Sequence, residues 1–130
     1  MPRSEPILVV DDDGASRELV VDLLGNAGLP AVAVPDGEAA LAWLEGELPS
    51  MILLDLMMPG VGGHEVLSRL KSDPETADIP VVIVTSRFVN DDERQQILTR
   101  AASVMYKGDL SRETVSRAIA EAMTPSVKDA

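Results

Sequence analysis

The chain has 130 residues, with 22 Asp plus Glu against 11 Lys plus Arg, no cysteine, 45% hydrophobic residues and 2% aromatic residues. That length fits one domain, and a net charge of -11 disfavours direct partnership with a nucleic-acid backbone or an anionic membrane surface. The absence of cysteine removes disulfides, Cys-ligated zinc and thiol catalysis, and no leader or membrane-length apolar run is present, so a soluble, cytoplasmic domain is expected.

Five short apolar runs are predicted strands: residues 6–10, 31–34, 51–54, 80–85 and 102–106. The first, third and fourth (ILVV, MILL, VVIV) are continuous, as in strands of a parallel sheet covered on both faces; the second and fifth are weaker and suit edges. Helical spacing links them. Ala15, Leu19, Leu23 and Ala27 mark the first helix, opened by Asp13 or Gly14 and followed by Gly28. Asp36 opens a second helix carrying Ala40, Trp43 and Leu44, and Val66, Leu67 and Leu70 mark a third. Asn90, with Glu93 three residues on, opens a fourth over about 91–100, where Ile97 and Leu98 are nearly the only apolar anchors, so this helix is expected to be the most loosely held. Ser111 opens a fifth with Val115, Ile119, Ala122 and Met123.

Five alternating βα units with right-handed crossovers predict an α/β, doubly wound three-layer sandwich, flavodoxin-like, with a five-stranded parallel sheet in the order 2-1-3-4-5. The domain is placed at 5–123, with flexible tails at 1–4 and 124–130. In such a sheet the functional edge lies beyond the carboxyl ends of the strands, where strand order reverses. Asp11, Asp12 and Asp13 follow the first strand, Asp55 ends the third, Thr85 and Ser86 end the fourth, and Lys107 follows the fifth.

Asp11, Asp12 and Asp55 would share a cleft at separations of about 4 to 6 Å, where like charges oppose one another unless a cation intervenes. Few, hard oxygen ligands suit Mg²⁺ or Mn²⁺ rather than zinc. A carboxylate held beside such an ion can attack a phosphoryl group, which makes Asp55 the candidate acceptor. Lys107 would then supply positive charge and Thr85 a hydroxyl donor. Asp13 reads as a helix cap, the lone His64 as a surface residue, and Trp43 with Met57 and Met58 as packing and loop anchors.

The runs ILVVDDD (7–13), LLDLMMPGVGG (53–63) and VVIVTS (81–86), with Lys107 after the last strand, resemble the receiver domain of bacterial two-component response regulators over about residues 5–123. The resemblance implies Asp55 as phosphoacceptor, Asp11 and Asp12 as the acidic metal pair, the Met57 carbonyl as a further Mg²⁺ ligand, and Thr85 and Lys107 as switch hydroxyl and phosphate-contacting lysine. It implies no turnover enzyme but a phosphorylation-controlled switch in a phosphorelay. Its donor would be a sensor histidine kinase or histidine phosphotransfer protein, and its output face the fourth helix, fifth strand and fifth helix, with Arg94, Arg100, Arg112 and Arg117 toward a protein effector; a homodimer is compatible with this. Residues at Met57 and Arg87 would modulate phosphoryl lifetime. Three departures from the family pattern stand out: Gly108 replaces the proline after the lysine, Val104 occupies the aromatic switch position three before it, and 101–103 read Ala-Ala-Ser. YKGDLSRE further resembles receivers attached to hybrid histidine kinases. The alternatives are a phosphorylation-independent scaffold, and an aspartyl-nucleophile phosphatase, against which stand Met57 in the place of a general acid and a chain too short for a cap.

Overall fold

The computed structural model describes residues 5–58, 60–86 and 88–123; the expected tails, Pro59 and Arg87 lie outside the described residues. Five parallel strands run in the order β2-β1-β3-β4-β5, as predicted. β1 (Ile7–Val10), β3 (Met51–Asp55) and β4 (Val81–Thr85) are buried at every position. The edge strands β2 (Ala31–Val34) and β5 (Ser103–Tyr106) are only partly covered, which matches their weaker apolar runs.

Side-chain alternation divides the strands between two cores. Ile7, Val9, Met51, Leu53, Val82 and Val84 face one side, where α1 (Gly14–Asn26) contributes Val20 and Leu24 and α5 (Arg112–Met123) contributes Val115 and Ala118. Leu8, Val10, Ile52, Leu54 and Ile83 face the other. There they meet Ala40 of α2 (Gly37–Leu44), Val66, Leu67 and Leu70 of α3 (Gly63–Ser72), and Ile97 of α4 (Asp91–Leu98). Each fully buried Leu, Ile or Val side chain contributes about 1.5–3 kcal/mol relative to exposure.

The predicted caps are present: Asp13, Asp36 and Asn90 accept from the backbone N–H of Ser16, Ala39 and Glu93, and Ser111 Oγ accepts from Thr114 N–H. Gly28, at φ 80°, closes α1 in a Schellman arrangement, with Leu29 N–H donating to the Leu24 carbonyl at 2.9 Å. The inward stripe of α1 differs from the expected one: Val20 and Leu24 are buried, whereas Leu19 is exposed and Leu23 half-buried. Both sets share the four-residue spacing, so periodicity alone did not fix the rotation of a helix that is apolar on neighbouring faces. α4 ends at Leu98, two residues before the expected end; Ile97 is its one buried residue, and Leu98 is exposed.

Candidate functional site

The same alternation that builds the core builds the site. Continuing the parity of Ile7 and Val9 beyond β1 leads to Asp11, that of Met51 and Leu53 leads to Asp55, and that of Met105 beyond β5 leads to Lys107. Three residues distant in sequence therefore emerge on the α1–α5 side of one sheet edge. One carboxylate oxygen from each of Asp11, Asp12 and Asp55 lies within 4.8 Å of the other two, with Asp11 and Asp55 buried and Asp12 exposed. Lys107 Nζ reaches both buried acids, at 2.9 Å from Asp11 Oδ2 and 3.3 Å from Asp55 Oδ2.

The turns hold these acids in place. Asp13 N–H donates to Asp11 Oδ1 at 2.9 Å, Met57 N–H donates to Asp55 Oδ1 at 3.1 Å, and Arg17 Nη1 donates to the Asp11 carbonyl at 2.8 Å. Gly63 packs directly on the end of β3: a Cβ there would collide with the Asp55 carbonyl oxygen and stand 2.6 Å from Leu56 Cα. Gly37 meets the Val61 carbonyl in the same way, so the β3–α3 loop is pressed between α2 and the strand. Met58 and Val61 of this loop pack on the core, whereas Met57 is 51% exposed; only one of the two methionines is a packing anchor.

Burial pushes the Asp55 carboxyl up to about 6; the Met57 N–H opposes this, the Asp11 charge adds to it and Lys107 opposes it. Burial also acts to lower the Lys107 pKa, but the hydrogen bond and charge of Asp11, followed by those of Asp55, outweigh it and hold the ammonium above the ordinary lysine range. The site is thus a crowded set of acids in which one cation already relieves part of the repulsion. Its all-oxygen donor set, buried on two sides and open at Asp12, fits a small hard divalent ion that keeps several waters.

Thr85 is buried at the end of β4, one register step beyond the Val84 that pairs with Asp55. Its parity is that of Val81 and Ile83, so it lines a cavity of about 340 Å³ with Phe88, Val89, Arg94, Val104, Met105 and Tyr106. Val104 occupies the wall where the family pattern has an aromatic ring. Tyr106 instead lies half-exposed over Gly108, where a Cβ would run into its ring. After β5 the chain makes a 3₁₀ turn, Lys107–Asp109, and no cis peptide occurs among the described residues, so the Lys107–Gly108 bond is trans. Arg94, Arg112 and Arg117 are exposed. Arg100 turns instead to α3, where Nη1 donates to Ser68 Oγ at 2.9 Å. His64 is exposed, as expected of a surface residue. Arg17 was not found from sequence, where an Arg four residues into the helix was its only signal; Gly63, expected with Pro59, Gly60 and Gly62 to shape the loop after Asp55, does so by its close approach to β3.

Fold and site together define a class: a doubly wound α/β domain with an aspartate at the end of its central strand, a second acidic pair across the switch point and a lysine closing the ring. The response regulator receiver domain model matches residues 7–119, and the chain belongs to that family. It is 35% identical over 111 residues to the phosphate regulon transcriptional regulatory protein PhoB of Pseudomonas aeruginosa, covering 85% of this chain and 48% of that protein; the chain thus spans about half the length of this curated relative. Among solved structures, the N-terminal domain of a response regulator receiver protein from Methanoculleus marisnigri is similar at TM-score 0.75 and 30% identity, covering 94% of this chain and 98% of that one. The Mn²⁺-bound form of response regulator Rcp1 is similar at TM-score 0.75 and 27% identity, covering 94% and 97%.

Proposed function

We propose that this chain is a phosphorylation-controlled switch in which Asp55 accepts a phosphoryl group. The observation that carries the reading is the convergence of Lys107 with three carboxylates around the buried Asp55 at the end of β3. An Asp55 oxygen forms the new P–O bond while the P–N bond of a donor phosphohistidine breaks, and the imidazole leaves with its electron pair and takes up a proton. A divalent ion held by Asp11, Asp12, Asp55 and the Met57 carbonyl would neutralise phosphoryl oxygens; Mg²⁺ or Mn²⁺ fits, and the Mn²⁺-bound relative supports the choice. Lys107, already within 3.3 Å of Asp55, turns its charge to a remaining oxygen.

The chain acts as an acceptor that assists its own phosphorylation and hydrolysis rather than as a turnover enzyme. The donor is a sensor histidine kinase or a histidine phosphotransfer protein, and the setting is the cytoplasm. No described helix is long and apolar enough to cross a membrane. The added charge of about -1.5 to -2 draws Lys107 and the Thr85 hydroxyl toward Asp55. Since Thr85 also lines the cavity under α4, that movement repacks the α4–β5–α5 face, where exposed Arg94, Arg112 and Arg117 meet a protein effector. Incubation with Mg²⁺ and acetyl phosphate followed by intact mass tests the reading. A phosphate-sized gain in wild type, lost in Asp55→Ala, is expected; no gain with either acetyl phosphate or a phosphohistidine donor refutes it.

A further inference from the structure

Arg17 has no part in the chemistry above, yet it touches the backbone at its most sensitive point. A single peptide unit joins Asp11 to Asp12, and the oxygen of that unit is the one that accepts the 2.8 Å hydrogen bond from Arg17 Nη1. Fixing this oxygen fixes the peptide plane and the Asp12 N–Cα bond that lies in it, which leaves rotation about that bond as the only freedom at the N-terminal side of Asp12 by which its side chain can re-aim. Asp11 is secured from other sides as well: its N–H donates to the Val34 carbonyl, its Oδ1 accepts from Asp13 N–H, and its carboxylate pairs with Lys107. Asp12 is exposed, so its aim toward Asp11 and Asp55 depends on the backbone rather than on packing. Arg17 itself is half-buried, and its Nη2 lies 3.5 Å from where a Cβ on Gly14 would stand, so the guanidinium spans the β1–α1 turn from Asp11 to the start of the helix.

We propose that Arg17 is a positioning residue for the divalent-cation site. By anchoring the Asp11–Asp12 peptide it holds the exposed Asp12 carboxylate in register with the two buried ones, and so sets the affinity for the ion without touching it. The proposal rests on the reading of the site as a cation-assisted phosphoacceptor. Its distinguishing feature is the sign of the effect. If Arg17 acted only through its charge, removing a cation near three carboxylates would tighten Mg²⁺ binding. If it served only to brace the fold, melting temperature would fall with cation affinity unchanged. Positioning predicts looser Mg²⁺ binding in a protein that still folds.

The test is calorimetric titration of the full chain with Mg²⁺, alongside thermal unfolding in EDTA, for wild type, Arg17→Met and Arg17→Lys. Loss of an outer partner of a metal ligand weakens metal binding by about tenfold or more. Arg17→Met is therefore expected to raise the Mg²⁺ dissociation constant by about tenfold, with Arg17→Lys, which keeps a charged donor, recovering most of the loss. An unchanged or tighter constant in Arg17→Met overturns the proposal. If that variant fails to fold, Arg17→Gln, whose amide falls short of the Asp11 carbonyl, is judged on the same constant. A wild type that binds no Mg²⁺ and takes no phosphoryl group on Asp55 refutes the site reading itself, whereas normal wild-type binding matched by Arg17→Met refutes the role of Arg17 alone.

Discussion

Asp55→Asn is expected to stabilise the cation-free protein. Burial holds the Asp55 carboxyl at about 6, above the ordinary aspartate range near 4. In that situation the native state holds its proton more tightly than the unfolded chain does between about pH 4 and 6, so stability falls as pH rises through that window. The penalty is absent below the unfolded pKa and complete above the folded one. At pH 8 it amounts to about 3 kcal/mol, and at pH 5 to about half of that. Because Lys107 already opposes the shift, the penalty is what remains after the ion pair has acted. Asparagine resembles the protonated acid in shape and charge and carries none of it. The variant should therefore gain about 2–3 kcal/mol at pH 8 in EDTA, which for a domain of this size raises the melting temperature by about 8–12 °C. The gap should narrow by about half at pH 5. It should narrow again at pH 8 on adding Mg²⁺, which stabilises wild type by binding the native carboxylates and has less to hold in the variant. Calorimetric melting across pH, with and without Mg²⁺, measures all three. A variant no more stable than wild type at pH 8 in EDTA, or a gain independent of pH, would refute the claim that Asp55 is held charged against its burial.

Gly63→Ala sets a helix-propensity gain of about 1 kcal/mol against a Cβ driven into the Asp55 carbonyl, and overpacking of that kind costs about 1–3 kcal/mol or more. The clash is with backbone, so the variant is expected to melt lower and to lose phosphoryl acceptance from acetyl phosphate, measured by intact mass; normal acceptance would refute the close approach. Asn90→Ala removes the bond to Glu93 N–H and should cost about 1 kcal/mol, read as faster amide exchange confined to α4, because only Ile97 ties that helix to the core.

The strands, their order and the caps were legible because each follows from a local rule. Continuous apolar runs mark β1, β3 and β4, and a side-chain oxygen three residues before a free N–H marks a helix start. The acids and Lys107 were legible as residues at strand ends, since a doubly wound sheet brings such ends together. What sequence did not carry is rotation and close contact. It offset the buried stripe of α1, placed Arg100 with the other arginines although it bonds Ser68 of α3, and treated the two loop methionines alike. It also passed over Lys71 and Thr76, which tie down the α3–β4 connection: Lys71 donates to the Ala77 and Ile79 carbonyls, and Thr76 Oγ1 donates to the Leu70 carbonyl. These bonds bridge side chain and carbonyl across six or eight residues of irregular chain, and no periodic rule predicts them.

On the proposed reading, parity also sets the route by which Asp55 and the α4–β5–α5 face would communicate. Asp11, Asp55 and Lys107 lie on the α1–α5 side of the sheet edge, whereas Thr85, Val104 and Tyr106 share the parity of the opposite core. Two clusters on opposite faces of a close-packed sheet exchange little through its interior, because strands buried on both sides do not slide independently. The edge is different: the β3–β4 pairing ends at Asp55 and Val84, so Thr85, one step further, is paired on one side only, with Tyr106 of β5. A group added at Asp55 would therefore act on Thr85 around the rim of the sheet rather than through it, and the space Thr85 would vacate opens onto the cavity lined by Val104 and Tyr106. With valine at that wall position, the aromatic ring of β5 that lines the cavity is that of Tyr106. On the proposed reading the response would fall chiefly to α4, the helix with a single buried anchor.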